Sequence, residues 1–75
     1  MPTELDCKGL RCPLPIVRLG AAMRKLDAGA QLLVEATDPA FQPDLYAWAR
    51  KTQHKILSFE GGPVQRALLE KSPTP

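Results

Sequence analysis

Cys12-Pro13-Leu14-Pro15-Ile16-Val17-Arg18-Leu19-Gly20-Ala21-Ala22-Met23-Arg24-Lys25-Leu26, running into Asp27-Ala28-Gly29, carries the clearest periodicity in the chain. Pro13 suits the first position of a helix, where its missing N–H would have had no partner. Pro15 falls within the same first turn and is tolerated there for the same reason. Ile16, Leu19, Gly20, Met23 and Leu26 recur at helical spacing and form one apolar stripe, with Arg18 and Lys25 on another face. Gly29 is a natural C-terminal stop. A helix is therefore predicted from Pro13 into Asp27-Ala28-Gly29.

Upstream, Thr3 to Cys7 is short, and Leu5 and Cys7 point the same way if the stretch is extended. Lys8-Gly9-Leu10-Arg11 reads as a turn in which Gly9 is free to take a positive φ. Downstream, Gln31 to Thr37 alternates Leu32, Val34 and Ala36 against Leu33, Glu35 and Thr37, the pattern of a strand. Asp38-Pro39 breaks it. A second helix starts between Ala40 and Asp44, with Pro43 in its first turn and Asp44 where the helix dipole favours an acid. Phe41, Leu45, Trp48 and Ala49 make its apolar face. Lys55 to Phe59 resumes strand character, with Leu57 and Phe59 on one side and Ile56 on the other. After the turn Glu60-Gly61-Gly62-Pro63, the segment from Val64 to Lys71 reads two ways. Propensity favours helix through Ala67, Leu68, Leu69 and Glu70, while alternation fits a hairpin strand. Strand, helix, strand, helix, strand and one ambiguous element make an α/β two-layer sandwich with two helices on one face of a small sheet.

The chain has 75 residues, enough for one small domain with a thin core. An ordered core over residues 3–70 and a flexible tail over 72–75 are expected. Multi-domain enzymes, repeat arrays and large cofactor cavities are excluded at this length. A hydrophobic content of 44% with 24% charged residues argues for a compact fold and against disorder. The formal charge of +2 is too mild for a nucleic-acid binder, which carries a dense basic face. Its distribution is uneven: Lys8, Arg11, Arg18, Arg24 and Lys25 fall between Lys8 and Leu26 with no carboxylate among them. They are either a solvated helix face or a positive setting for an anion. Met1-Pro2-Thr3-Glu4 lacks the basic and apolar parts of a secretory signal, and no apolar run reaches the roughly eighteen residues that span a bilayer. Two cysteines fall short of a disulfide framework or a four-ligand zinc site. A cytoplasmic setting with both thiols free is expected.

Cys12 stands where the first helix begins. The first N–H groups of a helix lack intrahelical acceptors, and the dipole adds positive partial charge there. With Arg11, Lys8 and Arg18 nearby, such a setting lowers a thiol pKa from about 8.5 toward or below neutrality. Pro13 and Pro15 stiffen the helix start and fix the direction of the sulfur. A cysteine before a helix is equally a small buried hydrophobe, and spacing alone does not choose between the two. A cysteine hydrolase needs a general base and an oxyanion hole, yet the only histidine, His54, is distant in sequence and reads as a core or surface residue. A Cys-x-x-Cys redox pair is absent. A reactive thiol without an acid–base partner fits carrying a group better than transforming a small molecule.

Leu5-Asp6-Cys7-Lys8-Gly9-Leu10-Arg11-Cys12-Pro13-Leu14-Pro15 resembles the N-terminal signature of the TusA/SirA family of small sulfur-carrier proteins, Leu-Asp-x-x-Gly-Leu-x-Cys-Pro-x-Pro. Asp38-Pro39 and Ala47-Trp48-Ala49-Arg50-Lys51-Thr52 also resemble that family, so the likeness covers nearly the whole chain. It implies a β-α-β-α-β-β two-layer sandwich with a four-stranded mixed sheet, and places Val64 to Leu69 in a strand, against the propensity reading. The chain departs from the family's usual ending, which is richer in aromatic and β-branched residues.

By the same resemblance, Cys12 takes sulfane sulfur as a persulfide from a cysteine desulfurase or a rhodanese-like sulfurtransferase and passes it to an acceptor protein. Such carriers serve tRNA thiolation, molybdenum cofactor synthesis or sulfur oxidation. Lys8, Arg11 and Arg18 would frame the docking surface, Asp6 and Gly9 would shape the loop, and Asp38 would cap a turn beside it. Cys7 is either a small side chain ending the first strand or a second, resolving thiol. No metal or organic cofactor is indicated, nor any nucleic-acid or membrane partner, and a monomer is expected. Two other readings stay open: a thiol redox protein using a Cys7–Cys12 disulfide, and a non-catalytic adaptor.

Overall fold

The computed structural model describes residues 2–73. The elements are β1 (Thr3–Cys7), α1 (Leu14–Arg24), β2 (Gln31–Ala36), α2 (Phe41–Thr52), β3 (Lys55–Glu60) and β4 (Gln65–Glu70). The four strands form one mixed sheet in the order β1-β2-β4-β3. β1 runs parallel to β2, and β4 runs antiparallel to both β2 and β3. Both helices lie on one face of this sheet, which is the α/β two-layer sandwich the resemblance implies.

Period two along β2 sends Leu32, Val34 and Ala36 to the helical side, where all three are buried. Register sets them opposite Leu69, Ala67 and Gln65 of β4, also buried. Pro15, Leu19 and Met23 of α1 and Phe41, Leu45 and Ala49 of α2 complete the core from above. Fully burying a leucine, methionine or phenylalanine side chain contributes about 1.5–3 kcal/mol, so a few such residues dominate the balance in so small a chain. The other sheet face carries charge. Glu35 sits between Arg66, whose Nε donates to Oε2 at 2.7 Å, and Lys8, whose Nζ is 3.0 Å from Oε1. Lys8 Nζ also lies 3.1 Å from Asp6 Oδ1. Exposed pairs of this kind add little stability, but they keep this side of the sheet polar.

Several local expectations change. α1 stops at Arg24 instead of running into residues 27–29. The N–H groups of Lys25 and Leu26 donate to the carbonyls of Ala22 and Met23, which tightens the last turn. Gly29 does take a positive φ of 85°, but in the following turn, where its N–H donates to Lys71 O at 2.9 Å. In β3 the register shifts between Ile56 and Ser58. Leu57 bulges outward and is exposed, while Ile56 and Phe59 both pack against the core. Strict alternation, which paired Leu57 with Phe59, fails at that bulge. Helix propensity in Gln65–Glu70 loses to position, because β4 is an interior strand whose backbone is paired on both sides. Of the tail expected over 72–75, Ser72 is buried and its N–H donates to His54 Nδ1 at 3.0 Å. Thr74 and Pro75 lie outside the described residues.

Candidate functional site

Cys7 of β1 pairs with Ala36 of β2, which pairs with Gln65 of β4. Because β1 and β2 are parallel, the loops leaving them and the starts of both helices gather at one sheet edge, where open α/β sheets place their sites. In the β1–α1 loop, Leu10 N–H donates to Cys7 O at 3.2 Å and Leu14 N–H to Arg11 O at 2.8 Å. Gly9 has φ of 81°, a conformation glycine adopts at little cost, and this lets its N–H reach Thr37 Oγ1 at 2.9 Å. Lys8 N–H donates to Asp6 Oδ1 at 2.9 Å, so Asp6 closes the turn from below. The Cys12–Pro13 peptide is cis.

Asp38 ties the two loops together. Its Oδ2 accepts the N–H of Cys12, its Oδ1 accepts the N–H of Ala40 at 3.1 Å, and its carbonyl accepts Gln65 Nε2 at 2.8 Å. Gly9, Leu10, Arg11, Cys12, Thr37, Asp38 and Pro39 line a shallow depression. Cys12 is exposed on its rim, whereas Cys7 is fully buried, and both thiols are free. Cys7 Sγ points to Pro15 O at 3.9 Å. Burial pushes the Cys7 thiol up, against the weaker pull of the Arg18 guanidinium and with a small upward push from Asp6.

The electrostatics of Cys12 differ from the sequence expectation. Pro13, not Cys12, occupies the cap of α1. The charges acting on Sγ are carboxylates: Cys12 Sγ donates to Asp44 Oδ2 at 2.8 Å. That hydrogen bond, then a desolvation contribution and the negative charges of Asp44 and Asp38, hold the thiol above its ordinary range. The physical reason is topological. α2 starts at the same edge as α1, so its first-turn acid meets the sulfur that α1 presents.

The cations are also deployed differently. Lys8 is taken up by Asp6 and Glu35, and its hydrogen bonds hold both carboxyls below the usual carboxylate range. Arg11 and Arg18 are exposed, as are the apolar Leu14 and Val17 beside them. Pro15 is buried under α1 and Pro13 is exposed. His54 lies between α2 and β3 against Trp48, with ring centroids 5.3 Å apart, and its described contacts are there and with Ser72. Burial, aided by the Lys71 charge, keeps its imidazole below its usual range.

Sequence reasoning missed Asp44 as a partner of the sulfur, together with Thr37 and Gln65 as supports of the loops. The available signal for Asp44 was the element order itself, which starts both helices from neighbouring parallel strands. Among the described residues no group of three or more His, Cys, Asp or Glu could hold a metal ion. No helix among them is long and apolar enough to cross a membrane.

Residues 3–71 match the sequence model of the family described as Sulfurtransferase TusA. The sulfur carrier protein TusA of Allochromatium vinosum is 40% identical over 70 residues, which is 92% of each chain. YrkI of Bacillus subtilis (strain 168) is 49% identical over 53 residues, 71% of each chain. YrkF of the same organism is 46% identical over 68 residues, 89% of this chain. Some relatives are much longer, and the chain spans only 37% of YrkF. An exposed cysteine before a proline-rich helix start, on a β-α-β-α-β-β sandwich matched from β1 through β4, places the chain in the TusA family of sulfur carriers.

Proposed function

We propose that Cys12 accepts sulfane sulfur as a persulfide from a cysteine desulfurase or a rhodanese-like sulfurtransferase and hands it to a cysteine of an acceptor protein. The observation that carries this reading is the contrast between the two thiols: Cys12 is exposed at the loop edge and Cys7 is wholly buried. Transfer between proteins needs a sulfur that a second macromolecule can reach, and a shallow rim offers that where a deep cavity would not. Loading breaks the donor's S–S bond and forms a new one to Sγ. The Cys12 proton ends on the donor's released thiolate, so atoms and electrons balance without an added oxidant. Unloading repeats the exchange in the other direction.

Arg11 and Arg18, with exposed Leu14 and Val17 between them, form the docking face. Charges there speed encounter more than they tighten it. Lys8, expected to frame the same face, shares its charge with Asp6 and Glu35 and adds less to it than the two arginines. The carrier acts as a cytoplasmic monomer without metal or cofactor, and the acceptor decides whether the sulfur goes to tRNA thiolation, cofactor synthesis or sulfur oxidation. A buried Cys7 with an elevated thiol pKa gives the redox reading no support.

Incubation with a cysteine desulfurase and radiolabelled cysteine separates the possibilities. Wild type and Cys7→Ser are expected to retain labelled sulfur that reductant releases, and Cys12→Ser to retain none. Equal label on Cys12→Ser would overturn the assignment, and loss of label in a folded Cys7→Ser would return Cys7 to the chemistry.

A further inference from the structure

Sγ of Cys12 and Oδ2 of Asp44 are 2.8 Å apart. A thiol is a weak donor, and a carboxylate is the acceptor that suits it best, since hydrogen bonds to charged groups are the shorter and stronger ones. The charged groups around the sulfur come from each neighbouring segment. α2 supplies Asp44, and the β2–α2 connection supplies Asp38, which holds the Cys12 N–H. From the β1–α1 connection, Lys8 turns away to Asp6 and Glu35. Arg18 of α1 acts on the Cys7 sulfur, and Arg11 is exposed beside Cys12. Among the described residues neither Asp38 nor Asp44 takes part in a salt bridge. Two carboxylates therefore face the one exposed thiol without a cation of their own.

We propose that Asp44 is a latch: it retains the Cys12 proton in the free protein, and a lysine or arginine of the sulfur donor takes over its carboxylate on docking and frees the sulfur. The inference rests on the reading of Cys12 as the sulfur-carrying residue. Asp44 is a positioning residue here. It forms no bond in the exchange, in which the donor's S–S bond breaks, the outer sulfur joins Sγ, and the proton passes to the donor's thiolate. An exposed thiolate is open to alkylation and oxidation, and a latch confines reactivity to the complex. The same unpaired carboxylates give that one donor cation something to complement beside the positive face of Arg11 and Arg18, which fixes register.

The test compares wild type, Asp44→Asn and Asp44→Glu. In the free protein, iodoacetamide alkylation of Cys12 is followed against pH. Asp44→Asn keeps the shape and removes the charge, so alkylation at neutral pH is expected to rise about tenfold, with its midpoint moving to lower pH. Asp44→Glu restores the charge and is expected to react slowly, like wild type. An Asp44→Asn profile that overlays wild type overturns the latch. The second arm measures sulfur loading from a persulfidated desulfurase at limiting carrier concentration. Loading of Asp44→Asn is expected to fall, because the donor's cation has lost its acceptor. Loading that stays level, or rises with alkylation, overturns the partner's role. The alkylation arm involves no sulfur transfer, so its failure is separable from failure of the carrier reading, which is read from Cys12→Ser.

Discussion

Asp38 bonds to Cys12 N–H and Ala40 N–H through its two carboxylate oxygens, and its carbonyl receives the Gln65 side chain. One side chain thus fixes the loop that carries the sulfur to the loop that starts α2. Hydrogen bonds to charged groups contribute about 1.5–3 kcal/mol each. Asp38→Ala is therefore expected to lower the urea midpoint of unfolding at unchanged slope, by an amount corresponding to about 2 kcal/mol. Asp38→Asn keeps one carbonyl acceptor and should lose less. A urea midpoint equal to wild type for Asp38→Ala would show that the loop is held by something else. At this scale Cys12 was legible because Cys-Pro-x-Pro is a local signature, and Asp38 because Asp-Pro marks a break. The Cys12–Asp44 contact was not legible. It joins positions far apart in sequence, and only the tertiary meeting of two helix starts brings them together. Reading Cys12 from its own neighbours alone gave a cationic setting, whereas the folded chain brings the carboxylates of Asp44 and Asp38 to the sulfur.

Gly20 sits inside α1, where a helix interior ordinarily disfavours glycine. A Cβ there would meet Arg24 Nη1 and Trp48 Nε1 at 3.8 Å, an ordinary contact distance. Gly20→Ala should consequently raise the melting temperature, with a stabilisation of about 0.5–1 kcal/mol from helix propensity. A lowered melting temperature would mean that α1 and α2 pack more closely at Trp48 than these distances allow. Elements with strong periodicity were legible: β2 through its alternation, and α2 through Phe41, Leu45 and Ala49. β3 was only half legible, because a bulge at Leu57 changes which side chains share a face and leaves no mark in composition. Residues 65–70 have the makings of a helix and become a strand, since an open slot between β2 and β3 offers backbone partners on both sides. The family resemblance carried that assignment where propensity failed.

The whole molecule separates its two thiols by topology. Parallel β1 and β2 deliver both loops to one edge, so the chain passes from buried Cys7 to exposed Cys12 within five residues. The core below is small: Leu19, Met23, Phe41 and Leu45 from the helices close over Leu32, Val34 and Leu69 of the sheet. The open face is kept polar by the Asp6–Lys8–Glu35–Arg66 network. The mild excess of positive charge therefore does not act as a single patch, because Lys8 and Arg66 are spent on that face while Arg11 and Arg18 remain exposed. What this arrangement is for comes down to where a transferred sulfur atom resides. The direct measurement is intact-protein and peptide mass spectrometry after incubation with a cysteine desulfurase and cysteine, without reductant. One added sulfur atom is expected, on the peptide containing Cys12 and removed by dithiothreitol. An unchanged mass, or the added sulfur on the peptide containing only Cys7, would contradict the proposed relay.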